Sequence, residues 1–496
     1  MLQAVITLWT IVSGGYNPRD TDYYYAQVKL LASPRYQTYV DLLDRQGKLR
    51  IGAQQMPLHI DQQAKTIDVF ITVYGEPIEA IRHTATAARD MAGLHRTIIL
   101  DDGDSDKVRA LCDELGIFYI RRDGSEGAKA GNINHALAHT NADFFAIFDA
   151  DFVPKPEFLF ETLPFFNDHG LAFVQTPQTY GNLHNALSRG AGFMQQVFYR
   201  LIQPGKNRFN SAFCVGTNVV FRRSAIDAVG GMYQQSKSED IWTSLLLHES
   251  GYKSVYTPDN LAVGDAPDSI KAYTKQQQRW ATGAMEILFW HNPLFSRKLS
   301  FSQRMQYTST CAFYLQGLAA AMLFVLPALQ IFFGLTPINL SIAFGAWLFY
   351  FLSFYAMQIT VSSYAMGGFR FETILLGMSS FPIYIKALVN GFMARDTGWQ
   401  PTGATKIDSP YNYIIPQILI FIFLVFTDIV GFVEMAHWQQ LSLSLFWNLL
   451  NTLVFAGFLW LAGREHLQLA REARVRRREE EAHSYERRLN AERRML

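Results

Sequence analysis

The chain has 496 residues, 49% of them hydrophobic and only 18% charged, and its 44 Lys and Arg against 43 Asp and Glu leave a net charge of +1. That length suits two or three domains. The balance excludes an intrinsically disordered chain and a wholesale nucleic-acid binder. The three cysteines, Cys112, Cys214 and Cys311, are too far apart to make a disulfide framework or a metal-ligand spacing.

Residues 1–65 read as an interfacial and connecting segment. The apolar start, 1–13, is too short to span a bilayer and lacks the charged leader of a signal peptide, so it reads as an interfacial helix or the remnant of a span. Residues 66–306 alternate strands and helices. The β-branched run 68–74 (DVFITVY) is a buried strand, followed by a helical stretch at 77–93. Strand 96–100 ends in Asp101-Asp102-Gly103. Helix 105–115, strand 117–120 and helix 131–139 come next, and strand 144–148 ends in Asp149-Ala150-Asp151. Strands separated by helices of this length predict a doubly wound, mostly parallel α/β sheet. Ligands of such sheets bind beyond the carboxyl ends of the strands, where both acidic clusters fall.

Residues 307–463 are mostly apolar, and 464–496 form a tail with ten Arg and seven Glu. Four stretches reach the roughly 20 residues a spanning helix needs: 307–333, 341–361, 412–433 and 441–462. A fifth, 372–393, holds Pro382 and Lys386. The turns 334–340 and 434–440 carry no Lys or Arg, whereas 362–411 and the tail do. Four spans put every basic segment on one side, which the positive-inside rule makes the cytosol. The stretch 372–393 is therefore expected to lie at the cytosolic interface without crossing. Asp428, inside a span, is expected to face the bundle or a channel rather than lipid.

Asp149 and Asp151 could hold a divalent cation, which takes one or two carboxylates plus phosphate oxygens; they could equally cap the next helix. Ser238-Glu239-Asp240 precedes an apolar helical run and reads equally well as its N-cap and first-turn acids. Gln276-Gln277-Gln278-Arg279-Trp280 reads as part of an amphipathic helix with an interfacial Trp.

In this order, the series Asp101-Asp102-Gly103, Asp149-Ala150-Asp151, Ser238-Glu239-Asp240 and Gln276-x-x-Arg279-Trp280, with a membrane domain directly after it, resembles the D, DxD, TED, QxxRW series of processive family 2 glycosyltransferases. This is the cellulose synthase-like group, and bacterial cellulose synthases look nearest. The resemblance implies a GT-A catalytic domain fused to an α-helical transmembrane bundle, in a cell (plasma or inner) membrane. The implied activity is inverting transfer from a nucleotide sugar, UDP-glucose foremost, onto a growing β-glycan extruded through the same chain. The implied partners are the donor, the glycan, the bilayer and accessory export or regulatory subunits; the implied cofactor is Mg²⁺ or Mn²⁺. By the same resemblance, Thr72, Tyr74, Glu76, Asp101 and Asp102 hold the nucleoside, Lys129 and Arg279 touch the diphosphate, and Asp149 and Asp151 bind the metal. Asp240 is the general base, with Glu239 beside it in the catalytic turn, and Gln276 and Trp280 meet the acceptor. The loop 396–406, with Thr402 and Lys406, stands where relatives carry a gating motif, although Pro401 and the displaced Lys depart from it.

Overall fold

A computed structural model of the chain describes residues 2–15, 17–335, 344–393, 409–438 and 443–495. The loop 396–406, with Thr402 and Lys406, lies outside the described residues.

The strands of the main sheet are β1 (Ile67–Val73), β2 (Arg96–Asp101), β3 (Phe118–Arg121), β4 (Phe144–Asp149), β5 (Leu171–Gln175), β6 (Val219–Arg222) and β7 (Lys253–Tyr256). They lie in the order β7-β5-β6-β4-β1-β2-β3. All pairings are parallel except those of β6, which runs against both β4 and β5. The doubly wound expectation therefore holds, with one reversed strand inserted beyond β4.

The alternation within β1 shows why its sequence makes a central strand. Val69, Ile71 and Val73 enter one core with Ile81, Ala85 and Ala88 of helix α1 (Ile78–Arg89) and Leu111 of α2 (Asp106–Leu115). Phe70 faces the other core, with Ala130, Ile133 and Leu137 of α3 (Ala128–His139). Helices thus cover both faces, as a buried parallel sheet requires. Helix α3 begins at Ala128, three residues before the expected start, because Gly127 (φ +67°) takes the left-handed conformation that turns the chain into it.

After the sheet come α4 (Glu239–Glu249) and the 21-residue α5 (Ile270–Trp290). The helices beyond are α6 (Phe301–Ala312), α7 (Gln316–Phe333), α8 (Phe344–Met366), α9 (Phe371–Ser379), α10 (Phe381–Phe392), α11 (Ile415–Trp438) and the 53-residue α12 (Leu443–Met495).

By length and apolar composition, the segments Phe301–Phe333, Phe371–Phe392, Ile415–His437 and Leu443–Val475 can cross a membrane. Helix α8, 23 residues without a charge, is also long enough. The segment Phe371–Phe392 departs from its neighbours. It is two consecutive helices meeting at Ser380, and 56% of its most apolar window is buried against 22% for Phe301–Phe333 and Ile415–His437.

Its partner is α5. Trp290 Nε1 donates to the Gly391 carbonyl at 2.9 Å, Tyr384 Oη donates to Gln277 Oε1 at 3.2 Å, and the Tyr273 and Ser380 hydroxyls are 2.8 Å apart. The last helix before the apolar region is therefore keyed into it. Within the bundle, Asp428 of α11 is buried. It accepts hydrogen bonds from Asn448 Nδ2 (2.7 Å) and Thr452 Oγ1 (2.6 Å) of α12, so its carboxylate joins two helices.

Replacing Asp428 by Leu should leave Asn448 and Thr452 without this partner and cost about 1 kcal/mol per lost bond. The expected readout is a fall of several degrees in the unfolding temperature of detergent-solubilised protein, with Asp428→Asn closer to wild type.

Candidate active site

The register of the sheet sets the floor of the site. Across β1, Thr72 lies opposite Asp149 of β4, and Val73 lies opposite Asp101 of β2, so three strands end level. Thr72 Oγ1 donates to Asp149 Oδ1 at 3.3 Å. Asp101, the last residue of β2, and Asp102, the first beyond it, diverge. Asp101 is fully buried and accepts from the Gly103 amide (2.8 Å), the Ser105 amide (2.9 Å) and the Tyr119 hydroxyl (2.8 Å). The structure therefore does not bring Asp101 into the cleft. Its carboxylate shapes the turn that presents Asp102, which faces the cleft and is held by both Nε and Nη2 of Arg122 at 2.6 and 2.7 Å.

The other described candidates do meet. A cleft of about 620 Å³ is lined by Thr72, Tyr74, Glu76, Asp102, Lys129, Asp149, Asp151, Glu239, Asp240, Gln276, Arg279 and Trp280. Lys129, in the first turn of α3, pairs with Asp149 and donates to the Gly216 carbonyl at 2.8 Å. Glu76 accepts from the Tyr74 amide at 2.6 Å. Glu239 and Asp240 open α4, where the amides of a helix N-terminus favour negative charge; Asp240 Oδ1 accepts from the Ile241 amide at 2.8 Å.

Helix α5 supplies the opposite wall with Gln276, Arg279 and Trp280. Gln276 Oε1 is buried and has no hydrogen-bond partner among the described residues. Gly283 lets α5 come this close: a Cβ there would stand 2.0 Å from Ser238 Oγ and 2.5 Å from Ser238 Cβ. The Ser-Glu-Asp turn and the Gln-x-x-Arg-Trp helix are thus packed directly on each other.

Sequence reasoning missed part of the lining. Gln178, Tyr180, Lys237, Asp265, Lys271 and Glu465 also face the cleft. Lys237 adjoins the Ser-Glu-Asp turn and could have been found from it. Glu465 comes from the far end of the chain and carries no local signal.

Electrostatically the cleft is crowded with acids. Burial, then the neighbouring Asp149, Glu76 and Asp265 carboxylates, raises the Asp151 pKa above the ordinary carboxylate range. Burial also raises Asp240, with Glu239 adding to it, while Arg279 and Lys129 oppose. Glu239 is raised by burial against the pull of Lys129 and Arg279. Burial disfavours charge on Lys129, but Asp149 and Glu239 outweigh it and keep its pKa above normal.

Asp149 and Asp151 fit a divalent cation. The charges acting most strongly on Asp151 are all carboxylates, so a cation there relieves repulsion that Lys129, committed to Asp149, does not. Among the described residues no group of three His, Cys, Asp or Glu is placed to hold a metal alone. Two carboxylates completed by phosphate oxygens is the usual Mg²⁺ arrangement.

The chain is similar to known glycosyltransferases. Residues 144–360, from β4 through most of α8, match the model of glycosyl transferase family group 2. The chain carries a family 2 glycosyltransferase domain. It is 35% identical over 285 residues to a cellulose synthase catalytic subunit (UDP-forming) of Xanthomonas axonopodis pv. citri, covering 54% of this chain and 38% of that protein. It is 33% identical over 355 residues to the subunit of the same name from Pseudomonas fluorescens, covering 67% of this chain and 47% of that one. The chain thus spans less than half the length of these relatives. Its fold is similar to that of a mannosyltransferase from Pyrobaculum calidifontis solved with GDP-Man and Mn²⁺. That match has 15% identity and a TM-score of 0.50, covering 80% of this chain and all of that one.

Gly283→Ala should push α5 off the Ser238 turn of this domain. The expected result is a loss of roughly tenfold or more in turnover with a smaller loss of nucleotide affinity, because α5 brings only Arg279 to the diphosphate while the strand ends that floor the cleft do not depend on α5.

Proposed function

We propose that this protein is a membrane-embedded, processive, inverting glycosyltransferase that polymerises a β-linked glucan such as cellulose from UDP-glucose. The product passes through the protein's own helices. One observation carries this reading: a single cleft, walled by a helix keyed into the apolar region, combines a metal-type carboxylate pair, a half-buried carboxylate base and an indole. The likeness to cellulose synthase catalytic subunits supports glucose as the sugar. The distribution of Lys and Arg, and a donor made in the cytosol, support a plasma or inner membrane protein with the catalytic half and tail cytosolic. They also favour four spans, with Phe371–Phe392 at the cytosolic interface.

The donor's nucleoside lies over the ends of β1 and β2, against Thr72, Tyr74, Glu76 and Asp102. Its diphosphate lies toward Lys129 and Arg279. Arg279 lines the cleft beside Glu239 and Asp240, where its guanidinium suits a leaving group that gains negative charge. Mg²⁺ or Mn²⁺ at Asp149 and Asp151 supplies charge neutralisation on the departing diphosphate.

The acceptor sugar stacks on Trp280, whose face suits the apolar face of a glucan ring, and meets the open Gln276 amide oxygen. Asp240 takes the proton of the acceptor hydroxyl as its oxygen attacks the anomeric carbon from the face opposite the diphosphate. Burial makes Asp240 a stronger base than an exposed carboxylate. Because the charged form is the active one, turnover is lost as pH falls through that raised pKa. The acid limb should therefore lie above the ordinary carboxylate range.

Purified protein in nanodiscs, incubated with radiolabelled UDP-glucose, UDP-N-acetylglucosamine and GDP-mannose, tests the reading. The expected product is a high-molecular-weight, cellulase-sensitive polymer from UDP-glucose alone. A single labelled sugar on an organic-soluble acceptor would replace it with a non-processive transferase. Asp240→Asn should abolish synthesis while UDP affinity persists; turnover within tenfold of wild type would remove the role of base.

Synthesis should also require Mg²⁺ or Mn²⁺. Asp151→Ala should reduce activity at least a hundredfold without restoring it in chelator. Full wild-type activity in excess chelator would exclude the metal.

A further inference from the structure

We propose that Glu465, on the C-terminal helix, is a positioning residue that fixes the start of α5 and so aims the acceptor-binding side chains; this rests on the glycosyltransferase reading of that helix. Phe458, Ala462, Glu465 and Leu469 succeed one another at spacings of four, three and four residues, which puts them on one face of α12. Phe458 and Ala462 share an apolar cluster with Ile270, Tyr273 and Ala281 of α5, and Leu469 lines the cleft. A carboxylate in the middle of such a stripe costs desolvation unless it has a partner.

The partner is the first amide of α5. Glu465 Oε2 accepts from the Ile270 backbone N–H at 2.9 Å. That amide is one of the four a helix leaves unsatisfied at its N-terminus, and a negative charge there is favoured. The Ser269 side chain takes another, accepting from Ala272. Ile270 and Gln276 are six residues apart, about 9 Å along the axis, and Arg279 and Trp280 lie on the next turn. A rigid helix pinned at its first amide carries those three side chains with it. Chemistry that needs near-attack geometry is sensitive to displacements of about 1 Å. Glu465 and Leu469 themselves form part of the cleft wall, so the middle of the helix that continues from the apolar region is built into the site.

Two variants separate the hydrogen bond from the packing. Glu465→Gln keeps an oxygen that can accept from Ile270, and Glu465→Leu keeps the bulk without it. In full-length protein, amide hydrogen exchange across 270–276 should be about tenfold faster in Glu465→Leu than in wild type, and within threefold in Glu465→Gln. Turnover at saturating UDP-glucose should fall about tenfold in the leucine variant and recover in the glutamine variant, with UDP affinity falling by less than turnover, because α5 brings only Arg279 to the diphosphate and the other donor contacts come from the sheet and Lys129.

Unchanged exchange in Glu465→Leu would overturn the proposal. So would a loss of UDP affinity matching the loss of turnover, since that marks a general fold defect. If wild type transfers no sugar, the functional reading falls, while the exchange measurement still decides the role of Glu465.

Discussion

Negative charge is the constraint around which the cleft is organised. The level ends of β1, β2 and β4, together with the first turn of α4, gather Glu76, Asp149, Asp151, Glu239 and Asp240 into one partly dry space. Lys129 and Arg279 oppose the Glu239 and Asp240 charges, and Lys129 is already paired with Asp149. Such a space is unfavourable by itself and becomes favourable when positive charge enters. A nucleoside diphosphate brings more negative charge, so it binds well only with a cation. The same crowding leaves Asp240 more basic than an exposed carboxylate, which is the property a proton acceptor needs near neutral pH. One arrangement thus supplies both the demand for a cation and the reactivity of the base.

Much of this was legible in the sequence, because the period of a buried strand leaves little freedom. Runs such as 68–74 and 144–148 can only be central strands, and the residues that come directly after each must lie at the carboxyl edge of the sheet. Legibility stopped where a tertiary contact decides. Asp101 and Asp102 are equivalent in sequence, yet one is consumed by Gly103, Ser105 and Tyr119 and the other faces the cleft. Asp428 was expected to face either a bundle or a channel; its bonds to Asn448 and Thr452 join it to a neighbouring helix 20 and 24 residues away. Pro382, Lys386 and the placement of basic residues already set the apolar stretch 372–393 apart in the sequence. That α5 is the helix it packs against is carried by no local pattern.

The position of α5 explains how a soluble-type sheet and an apolar bundle become one machine. Its middle faces the cleft through Gln276, Arg279 and Trp280, and its far end is bonded to α10 through Trp290. Its close approach to the Ser238 turn, permitted by Gly283, joins the base-bearing turn to the acceptor platform. Trp280, the contact with α10 and the approach to the turn that carries Asp240 therefore lie on one helix. On the proposed reading, in which the acceptor advances after each addition, this arrangement is economical. Trp280, proposed to support the acceptor, belongs to the same helix as the contacts with the apolar helices, so one rod would register both the acceptor and the bundle.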